Sequence, residues 1–253
     1  MTRQAPSADP LKQSSKEVPV GRLYSGMHSS ERTTERYGRL VEAGIEIFGT
    51  AGYSTARIKT ICQRAGLSER YFYESFDSRE QLLTAIYDNL SSTLMREVVL
   101  ALEVPGMALK DAVRAGLAVV VNFMLGDPRH ARIILVEIVG VSSELESKRH
   151  HSLTEFAKTT MRQLLLLGGI DPAEAQRPLT ACAEDGLLAE VLDFARLTAI
   201  SIVGGVNNML CDALLSDTTA STERITEVAY QLTYNASTGV RTLAAQGESA
   251  GLV

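Results

Sequence analysis

Cysteine and proline are scarce in this chain, and no long run is wholly apolar. Three cysteines, Cys62, Cys182 and Cys211, are scattered through 253 residues. An odd, dispersed set builds no disulfide framework and suits a reducing cytoplasm, as does the lack of a leader pattern at the start. Seven prolines exclude a proline-rich scaffold. A membrane span needs ~17–25 apolar residues. The best charge-free stretch lies between Arg196 and Asp212 and is interrupted by Asn207 and Asn208, so no transmembrane helix and no membrane partner are expected.

Bulk positive charge is also lacking. The formal net charge is −5, which by itself announces no nucleic-acid partner. The charge is unevenly placed, however. Residues 1–83 hold 12 Lys+Arg against 10 Asp+Glu, and residues 84–253 hold 13 against 20. Any anionic partner is therefore expected at the front.

The signatures of catalysis are missing too. There is no GxSxG, P-loop, GxGxxG or HExxH. His150 and His151 are adjacent and point to different helix faces, and His130 and Glu137 read as a solvated face. No catalytic residue, metal ligand or cofactor is expected. A thiol switch is a minor alternative to a buried apolar role for Cys62.

What the chain does have is helical periodicity and an ordinary core-forming composition, 45% hydrophobic and 22% charged. Leu40, Gly44, Ile47, Phe48 and Ala51 share one helix face, and Gly52 stops it. Short helices follow around Arg57–Arg64 and from Ser68, a good N-cap residue, with Ala65-Gly66-Leu67 between them. Ser78-Arg79-Glu80-Gln81 is a capping box that opens a long helix towards Glu103. Further helices are expected over about Leu109–Leu125, Arg129–Val139, Glu144–Leu167, Ala173–Cys182, Leu187–Leu215 and Glu223–Ala245. Turn chemistry breaks them at Asp127-Pro128, Gly168 to Pro172 and Ser216 to Thr218. No stretch alternates like a strand, so the class is all-α. The domain reading is an arm over 1–30, a helix-turn-helix domain over 31–80, a larger helical domain over 81–247 and a tail over 248–253.

Two short helices joined by a small residue and glycine form a helix-turn-helix arrangement. Ile58, Ile61, Leu67 and Phe72 would face inward. Glu69, Arg70, Tyr71, Tyr73 and Ser75 would face outward on the second helix, with Arg57 and Lys59 on the first. Such a face suits phosphates and base edges in a major groove. A plain bundle uses the same helix–glycine–helix pattern, and Glu69 and Glu74 repel phosphates.

The order and spacing of Arg39-Leu40 through Phe48, Gly52-Tyr53, Ile58, Ile61, Ala65 to Ser68, Tyr73, Phe76 and Ser78 to Leu83 resemble the N-terminal domain of the TetR family of transcriptional regulators. The resemblance covers about residues 36–83. It implies a three-helix DNA-binding domain, a helical ligand-binding and dimerisation domain, and repression relieved by a small molecule. It also implies DNA contacts by Arg57, Lys59, Ser68, Glu69, Arg70, Tyr71, Tyr73, Ser75 and Arg79, the last standing where the family usually has a phosphate-binding lysine. Three positions depart from the family pattern. Arg70-Tyr71 replaces the usual Gly-Thr, Ser75 replaces a histidine, and Ala56 replaces a helix-capping residue, a duty that Thr55 could assume one position early.

In the back domain Leu188, Val191, Ala195, Ala199, Ile202, Val206 and Leu210 form one stripe. Ile225, Val228, Leu232, Ala236, Val240 and Leu243 form another. The family likeness implies that this helix pair meets its twofold mate in a homodimer; packing within the chain is the alternative. Gly204-Gly205 in mid-helix would mark a close backbone approach, at the dimer seam or at a pocket wall. Phe123, Met124, Ile134, Leu135 and Phe156 could surround an apolar effector cavity, with Asn122, Glu137 or Asn207 as a polar handle.

The function expected is a ligand-responsive repressor that binds an inverted-repeat operator as a homodimer and is released by a small apolar effector. The alternatives are a helical small-molecule-binding protein or enzyme whose front end does not bind DNA, and an effector-free DNA-binding dimer.

Overall fold

A computed structural model of the chain describes the backbone of residues 21–171, 187–216 and 220–249, with side chains over 31–171, 188–216 and 220–246. The protein is all-α, and no strand occurs among the described residues. The helices are α1 (Gly21–Thr50), α2 (Ile58–Ala65), α3 (Glu69–Tyr73), α4 (Arg79–Leu102), α5 (Leu109–Gly126), α6 (Pro128–Arg132), α7 (Ser143–Gly168), α8 (Leu187–Leu215) and α9 (Thr222–Ser249). The expected helix over Ala173–Cys182 lies outside the described residues, as does Cys182.

Two differences from expectation concern helix ends. Among the described residues helix α1 runs from Gly21, nine residues before the end of the supposed arm. Pro19 is the last proline before Gly52. No breaker intervenes, so a helix nucleated on the buried face of α1 propagates towards the N-terminus at little cost. The expected helix over Arg129–Val139 is instead α6 followed by a π-helical turn, Ile133–Glu137. Such widened turns concentrate at functional positions.

Capping follows the chemistry in some places and not in others. The Ser78 hydroxyl accepts from the Gln81 N–H at 3.1 Å, and the Gln81 side chain reaches back to the Asp77 N–H. Asp127 caps α6 through the Arg129 N–H, with Pro128 in the first helical position. Ser68 and Thr55 do not cap as expected. Ser68 holds the N-cap position of α3 without a side-chain bond. Thr55 turns its hydroxyl back to the carbonyls of Ala51 and Gly52, and Arg57 occupies the N-cap position of α2.

Two cores meet along α4. The front core joins Leu40, Phe48, Ile61, Phe72 and Phe76 to Leu82, Leu83 and Ile86 at the start of α4, and takes in Ile133, Ile138 and Leu145 from the π turn and α7. The rear core packs α5, α7, α8 and α9 around Leu94, Val121, Leu164, Ala195 and Ala199. Helices α1 and α6 cross so closely at Gly49 that a Cβ there would lie 2.8 Å from the Arg129 Cα. A side chain would force the two halves apart.

The stripe from Leu188 to Leu210 on α8 faces the protein's own rear core, so intrachain packing accounts for it. Phe194, Leu197 and Ile200 stand on the other side of α8, and Leu232 and Tyr234 on α9; all five are exposed. Gly204 and Gly205 meet nothing within 4 Å, which removes the expected close approach inside the chain. By length and composition alone α8 could cross a membrane.

Candidate nucleic-acid interface and ligand cavity

The turn between α2 and α3 is built around Gly66. Its φ is +64°, a left-handed conformation that only glycine adopts without strain, and its N–H closes α2 on the carbonyls of Cys62 and Gln63. Arg39 of α1 clamps this turn, donating from Nε to the Ala65 carbonyl at 2.9 Å and from Nη2 to the carbonyls of Ala65 and Gly66. Nothing in the sequence pattern singled out Arg39 for that role. The contact spans 26 positions and exists only in the folded chain.

On α3, Phe72 is fully buried, and its neighbours point outward. Glu69 is exposed. The Arg70 side chain is 84% exposed and pairs with Glu74 at 3.0 Å. Tyr73 is 56% exposed. Arg57, Lys59 and Ser68 are exposed beside them. These six are polar side chains open to a partner, three of them cationic and one, Glu69, anionic.

Tyr71, Ser75 and Arg79 are placed differently. All three are half-buried. The Arg36 guanidinium lies 4.4 Å from the centre of the Tyr71 ring, so one face of that ring is covered by a cation. Such stacking fixes the ring and places a positive charge next to α3. Arg79 donates from Nη1 to the carbonyls of Tyr53 and Ala56 and stacks on the Tyr53 ring at 4.6 Å. It therefore caps the loop before α2 and ties that loop to α4. Arg36 is a further cation of this surface that periodicity alone did not reveal.

Cys62 is buried, and burial, followed by the nearby Glu69 charge, pushes its thiol up. The Cys211 thiol is likewise raised by burial. A raised thiol is mostly protonated and a poor nucleophile.

The rear core holds a cavity with about 840 Å³ of atom-free space, its open mouth included. Met124, Ile134, Leu135, Phe156 and Asn207 line it. Asn122 and Glu137 do not, and neither does Phe123. Asn122 is exposed. Phe123 stacks on the His130 ring at 4.7 Å. The Glu137 carboxylate accepts from the Tyr53 N–H at 2.7 Å and from Arg132 Nε at 2.9 Å. It joins the two halves of the molecule instead of serving a ligand. The sequence reading also missed Tyr87, Ser91, Arg149 and Ser152, which supply most of the polar lining. They come from two helices 60 positions apart, and only the register of α4 against α7 unites them.

A family model described as bacterial regulatory proteins, tetR family, matches residues 40–86. That span runs from the core of α1 through the helix-turn-helix to the first turns of α4. That segment of the chain is similar to the tetR family. An HTH-type transcriptional regulator of Bacillus subtilis (strain 168), YvdT, is 29% identical over 68 residues, covering 27% of this chain and 35% of that protein. The match thus spans about a third of that relative. Over the whole tetR-type fold, a transcriptional regulator from Rhodococcus sp. Rha1 superposes with a TM-score of 0.62 at 16% identity, covering 80% of this chain and 96% of that one. A TetR-like transcriptional regulator from Rhodococcus sp. RHA1 gives 0.59 at 14% identity, over 79% and 94%. At such identities these two structures speak for the fold alone.

The segment similar to the tetR model keeps that pattern's framework, and the exposed face of α3 departs from it. Leu40, Phe48, Ile61, Gly66 and Phe76 sit in the core or the turn as the family pattern requires. Arg70 and Tyr71 stand where that pattern usually has glycine and threonine.

Proposed function

We propose that the protein is a ligand-responsive, sequence-specific transcriptional repressor that binds DNA through α3 as a homodimer. The observation that carries this reading is the division of labour on α3. Phe72 anchors the helix in the front core, while Glu69, Arg70 and Tyr73 are left to a partner. A helix so held enters a major groove as a rigid body. Arg70 would be the base-reading cation and Glu69 an acceptor for a cytosine amino group. Arg57 and Lys59 would neutralise phosphates. Arg36 would hold the Tyr71 ring and Arg79 the loop before α2, so both act by positioning.

Dimerisation would use the uncovered side of α8 and α9. Phe194, Leu197 and Leu232 rim a shallow apolar groove there. Gly204 and Gly205, open in the single chain, would let a second backbone come close. Two reading heads would then address half-sites roughly 34–36 Å apart on an inverted repeat.

Effector response needs a path from the cavity to α3. Ile134 and Leu135 line the cavity, and Glu137, two residues on, holds the Tyr53 N–H in the loop before α2. A ligand that favours one arrangement of the π turn would change the set of the reading head and shift the population away from the DNA-bound form.

The test is footprinting on the DNA flanking the protein's own gene, repeated over a range of salt. A symmetric protected site whose affinity falls steeply with salt is the expected result. Protection indifferent to sequence, or unchanged in the Arg70→Ala, Tyr73→Ala double variant, would overturn the reading.

A further inference from the structure

A second space adjoins the cavity in the rear core. It holds about 420 Å³ with its opening and lies along the same helices. Leu117, Val120, Phe156 and Thr160 line both. Helices α4 and α7 run alongside in the same direction, since Lys148 bonds Asp88 at 2.8 Å and Thr159 meets the Met95 sulfur at 3.9 Å. From Arg149 at one end to Gln163 at the other is fourteen residues of α7, an axial length of ~21 Å.

Uncharged polar groups line both ends of this channel, with Thr159, Thr160, Gln163 and Thr233 at the second space, but its one cation stands at the first end alone. Tyr87, Ser91, Arg149 and Ser152 gather at one end. Past them the walls are Leu94, Leu117, Val120 and Phe156, then Val98 and Leu102. At the far end is Gln163, 7% exposed, whose side chain makes no hydrogen bond among the described residues.

Arg149 is the one charged residue lining either space, and no Asp or Glu lines them among the described residues. Its guanidinium is pre-set. Nε donates to Glu146 at 2.9 Å, and Glu146 in turn accepts from the Gly140 N–H at 2.9 Å, just beyond the π turn. Glu146 stands outside the channel and occupies Nε, so the terminal nitrogens remain as donors. The Gly140 N–H and Arg149 hold the Glu146 carboxyl below its ordinary range, which keeps this pair ionised.

We propose that the channel binds a singly anionic amphiphile, an aliphatic chain ending in a carboxylate, with its head on Arg149 and its chain running past Phe156 towards Gln163. The carboxylate receives charge-assisted hydrogen bonds from Arg149 and neutral ones from the hydroxyls of Ser91 and Ser152. The methylenes lie along Leu117, Val120, Phe156, Val98 and Leu102, with Thr159, Thr160 and Thr233 beside them. A cationic amphiphile would lose water beside a guanidinium and find no carboxylate. The assignment names the class of effector for the regulatory reading above and rests on that reading only for its biological role.

The test is calorimetric titration of the full chain, below micelle concentrations, with dodecanoate, hexanoate, methyl dodecanoate and dodecylammonium. Dodecanoate is expected to bind at least about tenfold tighter than the ester or the ammonium, and at least about tenfold tighter than hexanoate because more methylenes are buried. Arg149→Gln should erase the preference for the carboxylate, and Arg149→Lys should keep part of it. Equal binding of dodecylammonium, an undiminished preference in Arg149→Gln, or no binding of any probe overturns the assignment. Footprinting with and without dodecanoate separates the two readings. Dodecanoate that binds as described but leaves the DNA complex intact upholds the ligand class and defeats the effector role. Specific DNA binding with no amphiphile bound does the reverse for the ligand class.

Discussion

The main-chain N–H of Tyr53 donates to the Glu137 carboxylate at 2.7 Å, across 84 positions of sequence. Glu137 ends the π turn, and Tyr53 lies in the loop that sets α2. The same carboxylate takes Arg132 Nε at 2.9 Å. One side chain thus joins the turn beside the rear cavity to the loop before α2. Glu137→Ala leaves the Tyr53 N–H without its acceptor and is expected to cost about 1–3 kcal/mol of stability. It should also weaken the effect of any cavity ligand on DNA affinity. Urea denaturation and footprinting of the same variant check both outcomes. A variant as stable and as responsive as the parent would show that this bond links nothing.

Arg70→Ala and Tyr73→Ala remove exposed groups and should abolish specific DNA binding while the melting temperature stays within a degree or two of the parent. Phe72→Ala empties a fully buried site and is expected to cost about 3–5 kcal/mol. Circular dichroism melts beside band-shift titrations distinguish the two behaviours. A loss of stability in the Arg70 or Tyr73 variants would mean that these side chains serve the fold.

Arg79→Ala should lower stability and DNA affinity together, because two carbonyls and the Tyr53 ring lose their partner at once. Arg79→Lys should recover only part of the stability, since a lysine cannot offer the planar fork. If Arg79→Ala loses DNA affinity with its stability intact, the guanidinium acts on phosphate and not on the loop.

The Arg129 hydrogen bond holds the Asp127 carboxyl below the usual carboxylate range, with smaller help from the Arg129 N–H and His130. A carboxyl depressed on folding stabilises the protein above its unfolded pKa, and that contribution is lost as pH falls through the folded value. Stability should therefore fall below about pH 5 with a slope that Asp127→Asn reduces. Urea midpoints over an acid pH series measure it. An unchanged slope in the variant would count against the Asp127–Arg129 pair as its source.

Leu197→Glu on the open side of α8 should convert a dimer to a monomer in sedimentation equilibrium with the helix content retained. A buried charge without a partner is costly at an interface, whereas on a free surface the same change is nearly silent. A dimer that survives Leu197→Glu places the interface elsewhere.

The local rules carried a large part of this fold. Periodicity located the C-terminal part of α1 and the whole of α4, α5, α7, α8 and α9 to within a few residues, because each has an apolar face that must be buried. Gly66 and the Ser78–Gln81 box announced the turn and the start of α4, because their chemistry is satisfied within a few residues. Where a group found its partner at long range, the sequence was silent or misleading. Ser68 and Thr55 have capping chemistry and do not use it. Glu137 has the character of a ligand handle and instead bonds Tyr53. The Leu188–Leu210 stripe suits a partner helix and meets α7 and α9 of its own chain.

Helix, turn and the polarity of the exposed face of α3 were thus written locally, in residue spacings of one to four. The clamp of Arg39 on the Ala65 carbonyl, the π turn and the channel that ends at Arg149 required the assembled protein. Each depends on groups tens of positions apart, and only the packing of α1 on α6 and of α4 on α7 brings those groups within bonding distance.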